Sequence, residues 1–93
     1  GKDAAVAMAH FHDVFAQGLS ALRAGDASAA AKAFESAVRL KSDVPAAHVN
    51  LGFAQLELGE VGAAIGSFET AIELRPDQAN AYYGLAEAYE SRI

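Results

Sequence analysis

The chain contains no cysteine. It can therefore form neither a disulfide framework nor a thiolate metal site, and it offers no cysteine nucleophile. This absence fits either the cytoplasm or the periplasm, of which we favour the cytoplasm. No apolar run approaches the roughly 18 continuous residues that a membrane-spanning helix requires, so we expect no membrane span.

Basic residues are also scarce, with 7 Lys and Arg against 12 Asp and Glu and a net charge of -5. The imbalance lies in the second half: residues 1–44 hold five acids and five bases, whereas residues 45–93 hold seven acids and two bases. Nucleic-acid binding depends on basic patches that neutralise phosphates. No such patch is visible, so we expect no nucleic-acid partner.

The composition does provide enough apolar material for one small domain, since 53% of the 93 residues are hydrophobic. Alanine is abundant, and it is the residue with the highest intrinsic helix propensity. The composition therefore favours a helical protein, and the alanine content is typical of a GC-rich bacterial genome.

One stretch of the chain occurs nearly twice. GDASAAAKAFESAVRL begins at Gly25, and GEVGAAIGSFETAIEL begins at Gly59, which is 34 residues later. Gly18 and Gly52 are related by the same offset, and a third, partial copy begins at Ala79. A fixed period of this length predicts a solenoid of repeated structural units.

Each copy consists of amphipathic helical segments, because apolar residues recur at positions i, i+3, i+4 and i+7. Gly25 and Gly59 suit positions just beyond helix ends. Pro45 suits a helix start, and Pro76 cannot continue a helix. The pattern predicts five helices, at about 4–24, 27–41, 45–58, 61–74 and 79–92.

Gly18 and Gly52 fall inside two of these predicted helices. A glycine there costs about 1 kcal/mol relative to alanine. We expect a compensating gain in packing, because a missing side chain lets a neighbouring helix approach closely.

These residues make the chain resemble the tetratricopeptide repeat family over nearly its whole length. A 34-residue repeat of that family has a small residue at position 8, Ala at 20, an aromatic residue at 24, Ala at 27 and Pro at 32. The first copy has Gly18, Ala30, Phe34, Ala37 and Ser42 there, and the second has Gly52, Ala64, Phe68, Ala71 and Pro76. Val14, His48 and Ser42 depart from the family pattern without changing the predicted fold.

The resemblance implies an all-α fold, a right-handed superhelical solenoid of antiparallel helix pairs. It implies one domain over residues 1–93, with repeat 1 at about 11–44 and repeat 2 at about 45–78. A capping helix or half repeat then occupies about 79–93. Such domains imply a non-catalytic module for protein–protein interaction, here as part of a larger bacterial protein or complex.

The sequence shows no motif typical of catalysis, nucleotide binding or metal binding. No G-x-S-x-G nucleophile motif occurs, and GEVGAAIG matches neither a dinucleotide-binding fingerprint nor a P-loop. His10 and His12 are two residues apart, so a helix turns them to different sides. We therefore expect no enzyme activity, no cofactor and no metal site.

Family resemblance places the binding site on the concave face, along the first helix of each repeat. The residues it assigns to this groove are His12, Phe15, Leu19, Val49, Asn50, Phe53, Tyr83 and Glu87. Asn50 matches a family position that often hydrogen-bonds the ligand backbone. An apolar strip with a polar rim suits a helix or extended segment of a partner protein. Basic residues flanking that segment would complement the acidic second half.

Other interpretations stay open at this point. Leu22, Leu56 and Asn50 can serve packing and local hydrogen bonding within the repeats. The groove can be covered by a second copy, giving a homodimer, or by the N-terminal part of the first helix. The chain can also be the scaffold domain of a longer enzyme or of a secretion or assembly protein.

One ligand class of the family is excluded by the residues present. Members that clamp the acidic C-terminal tail of a chaperone carry Lys and Asn where this chain has Phe15 and Leu19. The Lys and Arg that those members carry in the third repeat correspond to Asn80 and Gly84 here. Without a cation to pair it, a buried carboxylate would be costly, so we expect no binding of such tails.

Overall fold

A computed structural model describes residues 1–92, which fold into five α-helices without a strand. The helices are α1 (Lys2–Arg23), α2 (Ala27–Leu40), α3 (Pro45–Glu57), α4 (Val61–Leu74) and α5 (Ala79–Ser91). Each begins and ends within two residues of its predicted bounds, so the predicted all-α helical-repeat fold is confirmed. Residue 93, the last of the predicted fifth element, lies outside the described residues.

The five helices stack in chain order. Each helix packs against the next, α3 also touches α1 and α5, and the stack measures 48 × 29 × 17 Å. The first helices of the repeats (α1, α3 and α5) therefore adjoin one another along one side of the stack. The residues predicted for the groove all belong to these three helices.

The turns after α1 and α3 are built alike around a glycine with positive φ. Gly25 has φ 78° and Gly59 has φ 80°, a region that costs other residues roughly 1–2 kcal/mol. The Gly25 N–H donates to the Leu22 carbonyl at 3.0 Å, and the Asp26 N–H donates to the Ala21 carbonyl at 2.9 Å. This pair of bonds is a Schellman motif, and the same pair follows α3. The prediction that both glycines end helices is confirmed.

The starts of α2 and α3 are fixed by residues with a known preference for helix N-termini. The Asp26 carboxylate accepts a hydrogen bond from the Ala29 N–H at 3.0 Å, which caps α2. Pro45 is the first residue of α3, where its missing N–H is not needed. Asp26 thus ends one motif and begins the next, which keeps the α1–α2 turn short.

The largest fully buried side chains are Phe34 and Phe68, one in the second helix of each repeat. Each ring fills the space left by a glycine. A Cβ on Gly18 would lie 2.6 Å from Phe34 Cζ, and a Cβ on Gly52 would lie 2.7 Å from Phe68 Cε1. A Cβ on Gly84 of α5 would also overlap the Phe68 ring. The close approach predicted at the first two of these glycines is confirmed, and Phe68 joins three helices.

We predict opposite effects for two glycine-to-alanine substitutions. Gly52→Ala should destabilise the protein by about 1–3 kcal/mol, because the new methyl group overlaps a ring that has no room to move. Gly66→Ala should stabilise it by up to about 1 kcal/mol, because nothing lies within 4 Å of the new Cβ. Urea denaturation followed by circular dichroism measures both values. A Gly52→Ala protein as stable as the Gly66→Ala protein would contradict this account of the core.

The loops after α2 and α4 each contain an ion pair at equivalent positions of the repeat. Lys41 Nζ lies 3.1 Å from Asp43 Oδ1, and Arg75 Nη2 lies 3.3 Å from Asp77 Oδ2. Hydrogen bonding by the cation, followed by its charge, lowers the pKa of each aspartate below its ordinary value. Both aspartates are exposed, so the pairs contribute little to global stability.

Removing one cation should therefore change the titration of its partner and hardly change stability. In Arg75→Ala the pKa of Asp77 should rise toward the ordinary value, because the cation's hydrogen bond and charge are lost. The sign follows from linkage: a lowered native pKa stabilises the fold above the unfolded pKa, and that effect is lost as pH falls through the native pKa. Carboxyl-carbon NMR titration measures this shift, and Asp43, whose own pair is intact, is the internal control. An unchanged Asp77 titration would show that the ion pair does not form in solution.

Candidate functional site

The predicted groove residues lie on the three adjoining first helices. We call this surface the α1–α3–α5 face and define it by Phe15, Leu19, Phe53 and Tyr83. Its members lie on α1 (Phe15 and Leu19), α3 (Phe53) and α5 (Tyr83).

The eight predicted residues differ in how much surface they offer. His12, Tyr83 and Glu87 are exposed, with Tyr83 at 65%. Four are half-buried, namely Phe15, Leu19, Asn50 and Phe53. Val49 is 5% exposed and belongs to the core. The face thus has a half-buried apolar middle and exposed ends.

The two phenylalanines of the face rest directly on the two buried phenylalanines. The ring centroids of Phe15 and Phe34 are 5.5 Å apart in an edge-to-face arrangement, and those of Phe53 and Phe68 are 5.0 Å apart. Each pair therefore has one ring in the core and one partly open to solvent. Phe15 and Phe53 serve the core and the surface together, and their position is set by the rings beneath them.

Val49 lies beneath this face. It packs in a cluster with Ala64, Phe68, Ala71 and Ala81, which belong to α4 and α5. Since α4 and α5 cover it, Val49 offers little area to a ligand. Its role in the structure is to join α3 to its two neighbours.

Leu22 and Leu56 also pack inward. Leu22 is half-buried against the cluster of Ala30, Phe34 and Leu51, and Leu56 is half-buried against the cluster that contains Phe68. Both leucines therefore contribute to packing within the repeats, which is the alternative that the sequence left open for them.

The polar residues of the face are placed differently. Asn50 is half-buried on α3. Glu87 and Glu90 are exposed at the α5 end of the face. The ion pairs formed within residues 1–92 are the two loop pairs already described, so the negative charge of these two glutamates is not compensated by a salt bridge.

The two histidines outside the groove prediction show no metal-binding arrangement. His48 Nε2 donates a hydrogen bond to the Ser42 carbonyl oxygen at 2.8 Å, which ties the first turn of α3 to the preceding loop. His10 is exposed on α1. In the part of the chain that the structure describes, no three His, Asp or Glu side chains group as metal ligands would.

Among residues 1–92, no helix is both long enough and apolar enough to cross a bilayer.

Two shallow cavities lie away from the α1–α3–α5 face. The first, of about 240 Å³, lies beside the N-terminal half of α1 and is lined by Ala4, Ala7, Met8, Leu40 and Lys41. The second, of about 320 Å³, lies between α1 and α2 and is lined by Val14, Gln17, Ala29, Lys32, Ala33 and Ser36. Neither includes a predicted groove residue, and neither holds converging polar groups of the kind that fix a small ligand.

Two exposed aromatic residues were not singled out from the sequence as surface residues. Tyr82 is 49% exposed and Tyr89 is 46% exposed, and both lie on α5. The signal for them was the third, partial copy of the repeat, in which they align with His48 and Gln55 of the second. Their exposure could not be predicted from α5 alone, because it depends on which other helices of residues 1–92 pack against α5.

We predict that two aromatic residues of the face differ sharply in their effect on stability. Phe53→Ala should cost about 2–3 kcal/mol, somewhat below the loss for a fully buried ring, because the ring is partly buried against Phe68 and its cluster. Tyr83→Ala should change stability by less than about 0.5 kcal/mol, since the side chain is mostly exposed. Thermal and urea denaturation measure both. Equal losses would mean that Tyr83 belongs to the core.

Comparison with known protein families agrees with the architecture. A family model described as "Tetratricopeptide repeat" matches residues 15–69, and a second described as "TPR repeat" matches residues 55–91. The first match covers more than half of the chain and crosses the boundary between the two copies. No curated protein matches the chain.

Proposed function

The chain belongs to the tetratricopeptide repeat family, and we propose that it is a non-catalytic module that binds an apolar segment of a partner protein on the α1–α3–α5 face. Repeats of this family generally mediate protein–protein interaction. The observation that carries the proposal is that the adjoining helices α1, α3 and α5 carry Phe15, Leu19, Phe53 and Tyr83, whose side chains are partly or largely open to solvent.

The strip is well suited to binding because its rings are held in place before a ligand arrives. Phe15 and Phe53 are supported edge-to-face by buried rings. A side chain that is already immobilised loses little conformational entropy on binding. Apolar side chains of the partner segment would lie between these rings, and Tyr83 would close the strip at the α5 end.

Asn50 provides a directional contact in the middle of the strip. Its amide offers both a donor and an acceptor, and the residue is only half-buried, so part of it is open to solvent. In the proposal the amide hydrogen-bonds the backbone of the partner segment, which fixes its register along the face. His12 contributes from the α1 end.

Charge limits the class of partner. Glu87 and Glu90 give the α5 end of the strip a negative field, which favours a segment with basic residues at that end and raises its association rate. An acidic tail would meet like charges there and apolar side chains at Phe15 and Leu19. The proposed ligand is therefore an apolar helix or extended segment flanked by Lys or Arg.

In the proposal, residues 1–93 act as one interaction domain. Repeat 1 occupies about 11–44, repeat 2 about 45–78, and the fifth helix about 79–93. The core supports this division, because Phe34 and Phe68 occupy the same position in two successive units and Phe68 also contacts α5.

Adjacent tyrosines make a matched test of this proposal. A displayed peptide library is selected on the immobilised wild-type protein, and the tightest peptide is measured by fluorescence anisotropy against Tyr83→Ala and Tyr82→Ala. Tyr83→Ala should weaken binding at least tenfold, as expected for an aromatic anchor of an interface. Tyr82→Ala should change it less than twofold, because consecutive helical residues point about 100° apart and Tyr82 is not part of the proposed strip.

Two results would contradict the proposal. One is a selected peptide whose affinity does not depend on Tyr83. The other is a wild-type dimer in sedimentation equilibrium that Tyr83→Ala dissociates, since the face would then be covered by a second copy of the chain. Glu87→Lys gives an independent check, because it should weaken a basic peptide without changing the apolar strip.

A further inference from the structure

The outer sides of α2 and α4 differ in charge at equivalent positions of the repeat. On each helix, four exposed residues at spacing i, i+4, i+7 and i+11 share one side, and we call these sets the outer stripes. The α2 stripe consists of Ser28, Lys32, Glu35 and Arg39, and the α4 stripe consists of Gly62, Gly66, Glu69 and Glu73. The α2 stripe therefore has two bases and one acid, whereas the α4 stripe has two acids and no base.

The charged residues of the stripes have no salt-bridge partner within residues 1–92, where the ion pairs are those of the two loops. Arg39 Nη2 donates a hydrogen bond at 3.4 Å to Ser36 Oγ, which belongs to the same helix. Within the described residues α2 and α4 make no contact with each other, so neither helix neutralises the other. Packing and pairing in one copy of the chain therefore do not explain why Arg39 in the first repeat corresponds to Glu73 in the second.

A two-fold axis brings stripes of opposite charge together. Short turns join successive helices that pack side by side, so α2 and α4 run in the same direction. An axis parallel to these two helices and midway between them lays α2 of each copy on α4 of the other. Positions that are equivalent in the repeat then meet, and each contact occurs twice. Arg39 of each copy faces Glu73 of the other.

The remaining residues of the stripes fit this arrangement. Lys32 meets Gly66, and a Cβ built on Gly66 or on Gly62 has no atom within 4 Å. The lysine stem can therefore lie along bare helix backbone, with its ammonium one turn from Glu69. Glu35 and Glu69 meet each other, and the bases one turn before and one turn after them offset their repulsion.

Charge disfavours the other two-fold arrangement of these helices. An axis perpendicular to α2 and α4 would lay each helix on its own copy. Glu69 and Glu73 of the two α4 helices would then face each other without a cation, and like charges placed together cost free energy. The charges of the stripes therefore select the pairing of α2 with α4.

We propose that two copies of the chain associate through the outer stripes, with α2 of each copy on α4 of the other. Both helices have 14 residues and are about 21 Å long. A face two helices wide is then smaller than the roughly 800 Å² per partner of a stable interface, and exposed ion pairs contribute little each. The dimer is therefore weak and sensitive to salt. Neither helix belongs to the α1–α3–α5 face, so the inference does not depend on the function proposed there.

Exchange of charge between Arg39 and Glu73 tests the pairing. Self-association is measured from the concentration dependence of amide chemical shifts of the labelled protein. Arg39→Glu and Glu73→Arg should each weaken it at least tenfold, because each substitution places like charges at both contacts. An equimolar mixture of the two variants should associate at least as tightly as the wild type, since every contact of the mixed dimer again joins opposite charges. The protein with both substitutions should recover self-association to within threefold of the wild type.

A matched control separates this pairing from an effect of net charge. Glu57→Arg makes the same change of charge as Glu73→Arg at an exposed position of α3, and it should leave self-association within twofold. In the wild type, the residues whose shifts depend on concentration should lie on the outer sides of α2 and α4. Circular dichroism of each variant checks the fold, and Lys32→Glu is the second α2 variant if Arg39→Glu is unfolded.

Three outcomes would overturn the proposal. One is a wild-type protein that stays monomeric up to about 1 mM, near the weak limit of specific binding, which would leave the stripes to a different partner. Another is a mixture of the two variants that associates no more tightly than either variant alone. The third is a dimer that Tyr83→Ala dissociates and Arg39→Glu does not, since the α1–α3–α5 face would then be its interface. Binding of the selected peptide, which tests the function proposed above, should be within twofold of the wild type in Arg39→Glu and Glu73→Arg.

Discussion

The insertion of a buried phenylalanine into the space beside a glycine determines the rest of this structure. Phe34 lies against Gly18, and Phe68 lies between Gly52 and Gly84. A glycine inside a helix lowers its stability. At these positions the close contact with the neighbouring helix offsets that loss. That contact sets how near α3 and α5 approach α4, and it therefore aligns the first helices of the repeats side by side.

The candidate binding face depends on the same contact. Phe15 and Phe53 rest on Phe34 and Phe68 at centroid distances of 5.5 and 5.0 Å. Phe15 and Phe53 therefore belong both to the candidate face and to the edge of the core. Substitutions at these residues are expected to affect stability and binding together. The exposed ends can vary without disturbing the core, so partner choice is expected to depend on residues such as Tyr83 and Glu87.

The fold could be predicted from the sequence because one 34-residue pattern of small, aromatic and apolar residues occurs twice. From Gly25, Gly59 and Pro45 the helix ends could be predicted to within two residues. From Gly18 and Gly52 the close contact between helices could be predicted. How deeply each side chain is buried could not be predicted in the same way. The register puts Val49 on the side of α3 that carries the groove, but burial depends on α4 and α5, whose distance from Val49 the register does not give. The exposure of Tyr82 and Tyr89 likewise depends on a neighbour rather than on their own helix.

The most direct test of the binding face is a map of where a selected peptide contacts the protein. Amide chemical shifts of the labelled protein are compared with and without the tightest peptide from the displayed library. The account predicts that the largest changes fall on residues of the α1–α3–α5 face, including Leu19, Phe53 and Tyr83, and that the exposed residues of α2 and α4 change little. Largest changes on α2 and α4, or on Tyr82 and Tyr89 instead of Tyr83, would contradict it.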